Sequence, residues 1–140
     1  MTGPDTLYSM RCLGLVLVSC ILAAGAFAQG NASPPTPVGM WRGTSLCTVR
    51  PSPCNDEVVV YRFATVSGRD SLSLDARKIV NGQEEEMGLL GCHFVAEGAR
   101  VTCTMPNGEW HFTIRGDSLV GDLTLPDKRT YRDVRTARVR

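Results

Sequence analysis

Gly39-Met40-Trp41-Arg42-Gly43-Thr44-Ser45-Leu46-Cys47, then Thr48-Val49-Arg50-Pro51-Ser52-Pro53-Cys54, then the run Val58-Val59-Val60-Tyr61-Arg62-Phe63, is the stretch whose reading decides the fold. β-Branched and aromatic residues on both sides of a proline-shaped loop read as a first strand, a turn and a returning second strand over about residues 57–66. Pro51 and Pro53 restrict φ and withdraw two amide donors, so no helix forms between the cysteines. The ends of so short a loop come together, and the spacing of Cys47 and Cys54 fits no common zinc pattern. A Cys47–Cys54 disulfide is therefore expected, contributing about 2–3 kcal/mol in the chain-entropy model.

Upstream of this stretch the chain is not built as a domain. Met10-Arg11 precedes the apolar run from Cys12 to Ala24, and Ala26-Phe27-Ala28 has the small-x-small pattern of a signal-peptidase site. Residues 1–28 are thus expected to be a signal peptide, cleaved before Gln29. Residues 1–9 carry Asp5 and no basic residue, which points to translation from Met10. The apolar run is near the length of a membrane span, but the cleavage site argues against its retention. Leu17-Val18-Ser19-Cys20 also fits a lipobox, giving an alternative in which the chain is lipid-anchored through Cys20. The apolar segment before Cys20 is short for that route, and an apolar stretch follows it. The expected localisation is secreted or periplasmic. Export and the even set Cys47, Cys54, Cys92 and Cys103 imply two disulfides.

Residues 29–37 form a Pro-rich arm, Gln-Gly-Asn-Ala-Ser-Pro-Pro-Thr-Pro, with the formal sequon Asn31-Ala32-Ser33. Residues 38–140 are read as one β domain. Leu72, Leu74 and Ala76 alternate with Ser71, Ser73 and Asp75, the pattern of a half-buried strand. Asn81-Gly82 favours positive φ at both positions and predicts a two-residue hairpin. The fourth strand leaves through Glu84-Glu85-Glu86, which is expected to project into water rather than to form a calcium loop. Cys92 and Cys103 lie symmetrically about the turn Ala96-Glu97-Gly98-Ala99, so they become an opposed pair close enough to bridge. Further turns at Pro106-Asn107, Arg115-Gly116-Asp117 and Pro126-Asp127-Lys128 separate three more runs. The fold class expected is all-β: an antiparallel up-and-down meander closing into a small barrel of about eight strands, which removes free edges.

With Gly39-Met40-Trp41 on the first strand, a run of hairpins and an arginine-bearing last strand, the chain resembles the lipocalin-like (calycin-type) barrels. More narrowly, residues 39–57, Lys78-Ile79-Val80-Asn81-Gly82 and Met87-Gly88-Leu89-Leu90 resemble a set of small exported bacterial proteins of unassigned function. The resemblance implies that Trp41 packs against an arginine of the final strand, Arg135 or Arg138.

Little in the chain points to catalysis. His93 and His111 each neighbour an inward residue, so both point outward, and neither has an acid or nucleophile at a motif spacing. Ser45 is not in a Gly-x-Ser-x-Gly elbow, and there is no phosphate loop and no Cys-x-x-Cys. No enzyme activity, cofactor or metal is expected. The net charge of +1 argues against a general nucleic-acid or polyanion binder. Trp41, Tyr61, Phe63, Trp110 and Phe112 either line a ligand cavity or fill the core, and filling is the default for so small a barrel. Arg129, Arg132, Arg135 and Arg138, with Lys128 and Arg140, are the one charge asymmetry and a candidate anion patch. Three functions follow as expectations. The first is an exported non-enzymatic barrel that binds a small apolar ligand or serves as an envelope module. The second is a protein-binding inhibitor of an exported protease that uses the arm. The third is polyanion binding by the arginine-rich C-terminus.

Overall fold

The computed structural model describes residues 33–140. The expected signal peptide, Cys20, the sequon asparagine and the start of the arm lie outside the described residues. Eight strands follow one another in a meander: β1 Gly39–Cys47, β2 Glu57–Ser67, β3 Ser71–Val80, β4 Gln83–Val95, β5 Arg100–Met105, β6 Gly108–Arg115, β7 Ser118–Thr124 and β8 Thr130–Arg138. Each pairs antiparallel with the next, and β8 returns to β1, so the sheet closes into a barrel. Both expected disulfides are present, Cys47–Cys54 and Cys92–Cys103. The second joins directly opposed residues whose Cα atoms are 4.2 Å apart, as the symmetry of the turn required.

The turns form where the residues allow them. Val80 pairs with Gln83 across Asn81 and Gly82, whose φ values of 51° and 80° give the reversed turn that suits twisted strands. At the seam between β1 and β8, a side chain on Gly43 would collide with the Arg135 carbonyl, so only glycine lets the barrel close there. Gly121 admits the Phe112 ring in the same way.

Side chains alternate between interior and exterior along every strand. Trp41, Tyr61, Phe63, Leu72, Leu74, Phe94, Val101, Phe112, Leu119 and Val134 face inward and form one apolar cluster. Arg42, Arg62, Asp75 and Arg77 lie on the outer wall, on ladder positions that alternate with these. Glu84, Glu85 and Glu86 are exposed, and Glu84 lies 2.9 Å from Arg62 across that wall. Among the described residues no helix is long and apolar enough to cross a membrane.

The barrel has two unlike ends. At the end where β1 begins, Trp41, Phe63, Leu72 and Leu119 plug the interior. At the other end β4 and β5 part company. Their ladder runs only from Cys92↔Cys103 to Val95↔Arg100, so the second disulfide is its last rung. Beyond it, Gln83–Gly91 of β4 is paired with β3 alone. A shift of register between Ala76 and Arg77 leaves Met87 without a partner on β3.

Candidate functional site

Inside the forked end lies a cup of about 260 Å³. The strand period brings its lining together: Ser45 follows Trp41 and Gly43 on the inner face of β1, and Arg132 precedes Val134 and Thr136 on that of β8. Most of the wall is apolar, from Leu74, Ala76, Leu90, Met105, Trp110 and Leu123. The rest is a compact polar cluster of Ser45, Glu57, Tyr61 and Arg132. Arg132 Nη1 lies 3.2 Å from Glu57 Oε2, and the two side chains are only 13% and 19% exposed. The same nitrogen donates to the Ser45 hydroxyl at 3.2 Å and to the Asn55 carbonyl at 3.1 Å. Asn55 follows directly on Cys54, so the first disulfide anchors the charged side of the cup.

The aromatic residues divide between the two roles the sequence left open. Tyr61 and Trp110 line the cup, whereas Trp41, Phe63 and Phe112 fill the plugged half. Phe112 forms the floor: it stacks on Trp110 with centroids 5.7 Å apart and meets Tyr61 edge-on at 5.7 Å. Filling is therefore complete at one end only, because Ala76, Gly88 and the diverging β5 leave space at the other.

Burial pushes the Tyr61 phenol above its ordinary pKa, while the Ser45 hydroxyl and the nearby Arg132 charge act against that rise. Tyr61 is thus a neutral hydrogen-bonding group at physiological pH. Because the folded pKa is raised, its contribution to stability is fully present below the unfolded value of about 10 and is lost as pH climbs beyond it. Wild-type protein is expected to lose up to about 1.4 kcal/mol per pH unit above about pH 10 through this residue. Tyr61→Phe, which keeps the ring, should lack that component, as urea midpoints compared at pH 8 and pH 11 would show. Equal alkaline losses in both proteins would place the phenol in water.

The four arginines of the candidate anion patch do not share a face. Arg129 hydrogen-bonds Asp127 at 2.6 Å in the last turn, and Arg135 is exposed on the outer wall. Arg132 is inside the cup, while Arg138 stacks on Trp41 at the plugged end, 4.1 Å from the ring centroid. Alternation on the last strand separates them: positions 132, 134, 136 and 138 face in and 135 faces out. His93 is exposed, and His111 lies by Glu109, with Nε2 2.9 Å from Oε1, in a shallow outer groove. Among the described residues no three His, Cys, Asp or Glu side chains converge as metal ligands. Glu57 and Ser45 were not singled out as binding residues in the sequence. Their signal is register: Ser45 opposes Glu57 on β2 and neighbours the inner face of β8.

No family model, no curated protein and no solved structure matches this chain.

Proposed function

We propose that this chain is an exported, non-enzymatic β-barrel module that takes up a small, largely apolar ligand in the cup. One observation carries the reading: a barrel plugged by aromatic packing at one end keeps a space of about 260 Å³, walled mostly by apolar side chains, at the other. That volume is close to the lower bound of about 300 Å³ for ligand sites, so the occupant is small. The polar cluster on one wall supplies the few placed groups that orient a ligand. Two disulfides are consistent with folding in an oxidising compartment, which supports export.

The two tryptophans, one per end, make the test direct. Titration with propylbenzene should move the indole NMR signal of Trp110 and leave that of Trp41 in place. Ala76→Phe, which fills the cup, should abolish the response while the barrel stays folded. If neither propylbenzene nor a probe with the same body and a polar end moves Trp110, the ligand reading fails.

A second reading is supported by the root of the arm. Arg138 donates to the carbonyls of Thr36 and Val38 at 2.6 and 2.8 Å, and Trp41 Nε1 donates to that of Pro37 at 2.8 Å. A clamped root and a proline-rich segment lower the entropy cost of docking an extended arm in a protease cleft. Removal of residues 29–35, which spares the clamp, would then abolish inhibition of an exported protease without loss of stability. Unchanged inhibition would dismiss the arm.

A further inference from the structure

The charged wall of the cup is paired, and this restricts what can bind. Arg132 uses Nη1 for all its contacts with Glu57, Ser45 and Asn55. Among the described residues its Nε and Nη2 make no hydrogen bond, and Glu57 Oε1 makes none either. The cup wall thus offers both spare donors and a spare acceptor, and Arg132 and Glu57 are its only charged lining residues among the described residues. The formal charge of the lining is zero.

We infer that the occupant is an uncharged molecule with an apolar body and one end that both donates and accepts hydrogen bonds, such as a carboxamide or lactam. This inference rests on the cup being a ligand site. Its carbonyl would accept from Arg132 Nε or Nη2, and its N–H would donate to Glu57 Oε1. The body would lie on Leu74, Leu90, Trp110 and Leu123. A carboxylate head at Arg132 would sit beside the Glu57 carboxylate, 3.2 Å from that guanidinium, in apolar surroundings that screen like charges poorly. An ammonium head at Glu57 would meet Arg132 in the same way. Either ion would add an unbalanced charge to a lining whose formal charge is zero. Hydrocarbon alone would bury the spare donors and acceptor unsatisfied.

Four probes that share one body test this: 3-phenylpropanamide, 3-phenylpropanoate, 3-phenylpropylammonium and propylbenzene, each titrated against the Trp110 indole signal. The wild-type protein is expected to bind the amide at least about tenfold more tightly than either ion. In Glu57→Gln, which leaves Arg132 unpaired, phenylpropanoate should gain at least about tenfold relative to the amide. In Arg132→Met the ammonium should gain instead. The wild-type series decides the matter even if a variant fails to fold. If propylbenzene moves Trp110 but either ion binds as tightly as the amide, the inference is overturned and the cup remains a ligand site. If no probe moves Trp110, the cup itself is not a ligand site.

Discussion

Trp41→Ala is expected to lower the stability of the barrel by about 3–5 kcal/mol, the range for deleting a large core aromatic. The side chain is fully buried at the plugged end. Its loss opens a cavity that backbone closure on both sides prevents from collapsing, since Trp41 is paired to Tyr61 on β2 and to Arg138 on β8. Two further groups lose partners. The Pro37 carbonyl loses the indole N–H at 2.8 Å, and the Arg138 guanidinium loses the ring it covers at 4.1 Å. Stacked cations of this kind contribute about 0.5–2 kcal/mol. Trp41→Phe separates the terms, because it keeps a ring under Arg138 and most of the volume but no donor for Pro37. It should cost clearly less than the alanine variant. For a domain of this size each kcal/mol moves the melting temperature by about 4–8 °C, so the alanine variant should melt at least about 12 °C lower. A shift near zero would return Trp41 to the surface.

The second large effect is expected from the disulfide at the fork. Loop-closure entropy gives similar values, about 2.5–3 kcal/mol, for bridges spanning separations of 7 and 11 residues. Their positions make them unequal. Cys47–Cys54 closes a surface loop, and β1 stays paired on both sides without it. Cys92–Cys103 is the terminal rung of a four-rung ladder, the shortest in the barrel. Without it the separation of β4 from β5 has no covalent stop, and Phe94 and Val101, two rungs behind it, are the next buried pair to part. The Cys92→Ala/Cys103→Ala protein is expected to lose at least about 3 kcal/mol, and the Cys47→Ala/Cys54→Ala protein about 2–3 kcal/mol. Hydrogen exchange localises the difference: loss of the fork bridge should speed exchange at Phe94 and Val101 specifically. If both variants lose the same stability and protection stays uniform, the fork has no special weakness.

The architecture was legible because its signals are local. Asn81-Gly82 specifies its own turn, and the placing of Cys92 and Cys103 about residues 96–99 specifies their pairing. Period-two alternation identified Leu72 and Leu74 as interior. The arginine under Trp41 was narrowed to two positions, and alternation from Val134 selects Arg138. The same rule turns Arg132 inward, so a patch that linear spacing suggested is split between the two poles and the outer wall. The cup was not legible. Its volume depends on where β5 leaves β4, and nothing in the composition of Gln83–Gly91 marks the point at which pairing stops. Glu57 gains its role only from a partner 75 positions away, Arg132, brought beside it by closure of the sheet.

The strand segment Gln83–Gly91 has one row of amides and carbonyls facing no other strand, in a barrel whose other seams are sewn. Such a row is the template on which fibrillar aggregates grow, one chain laying its own strand against the next. Glu84, Glu85 and Glu86 occupy the outer half of that row, and an identical strand stacked in register would set like charges on top of each other. The register shift at Met87 bends the strand just where Leu89 and Leu90 would otherwise extend a flat, sticky surface. The glutamates and the kink thus act as gatekeepers of colloidal stability, allowing the barrel to stay open at one side without seeding its own precipitation.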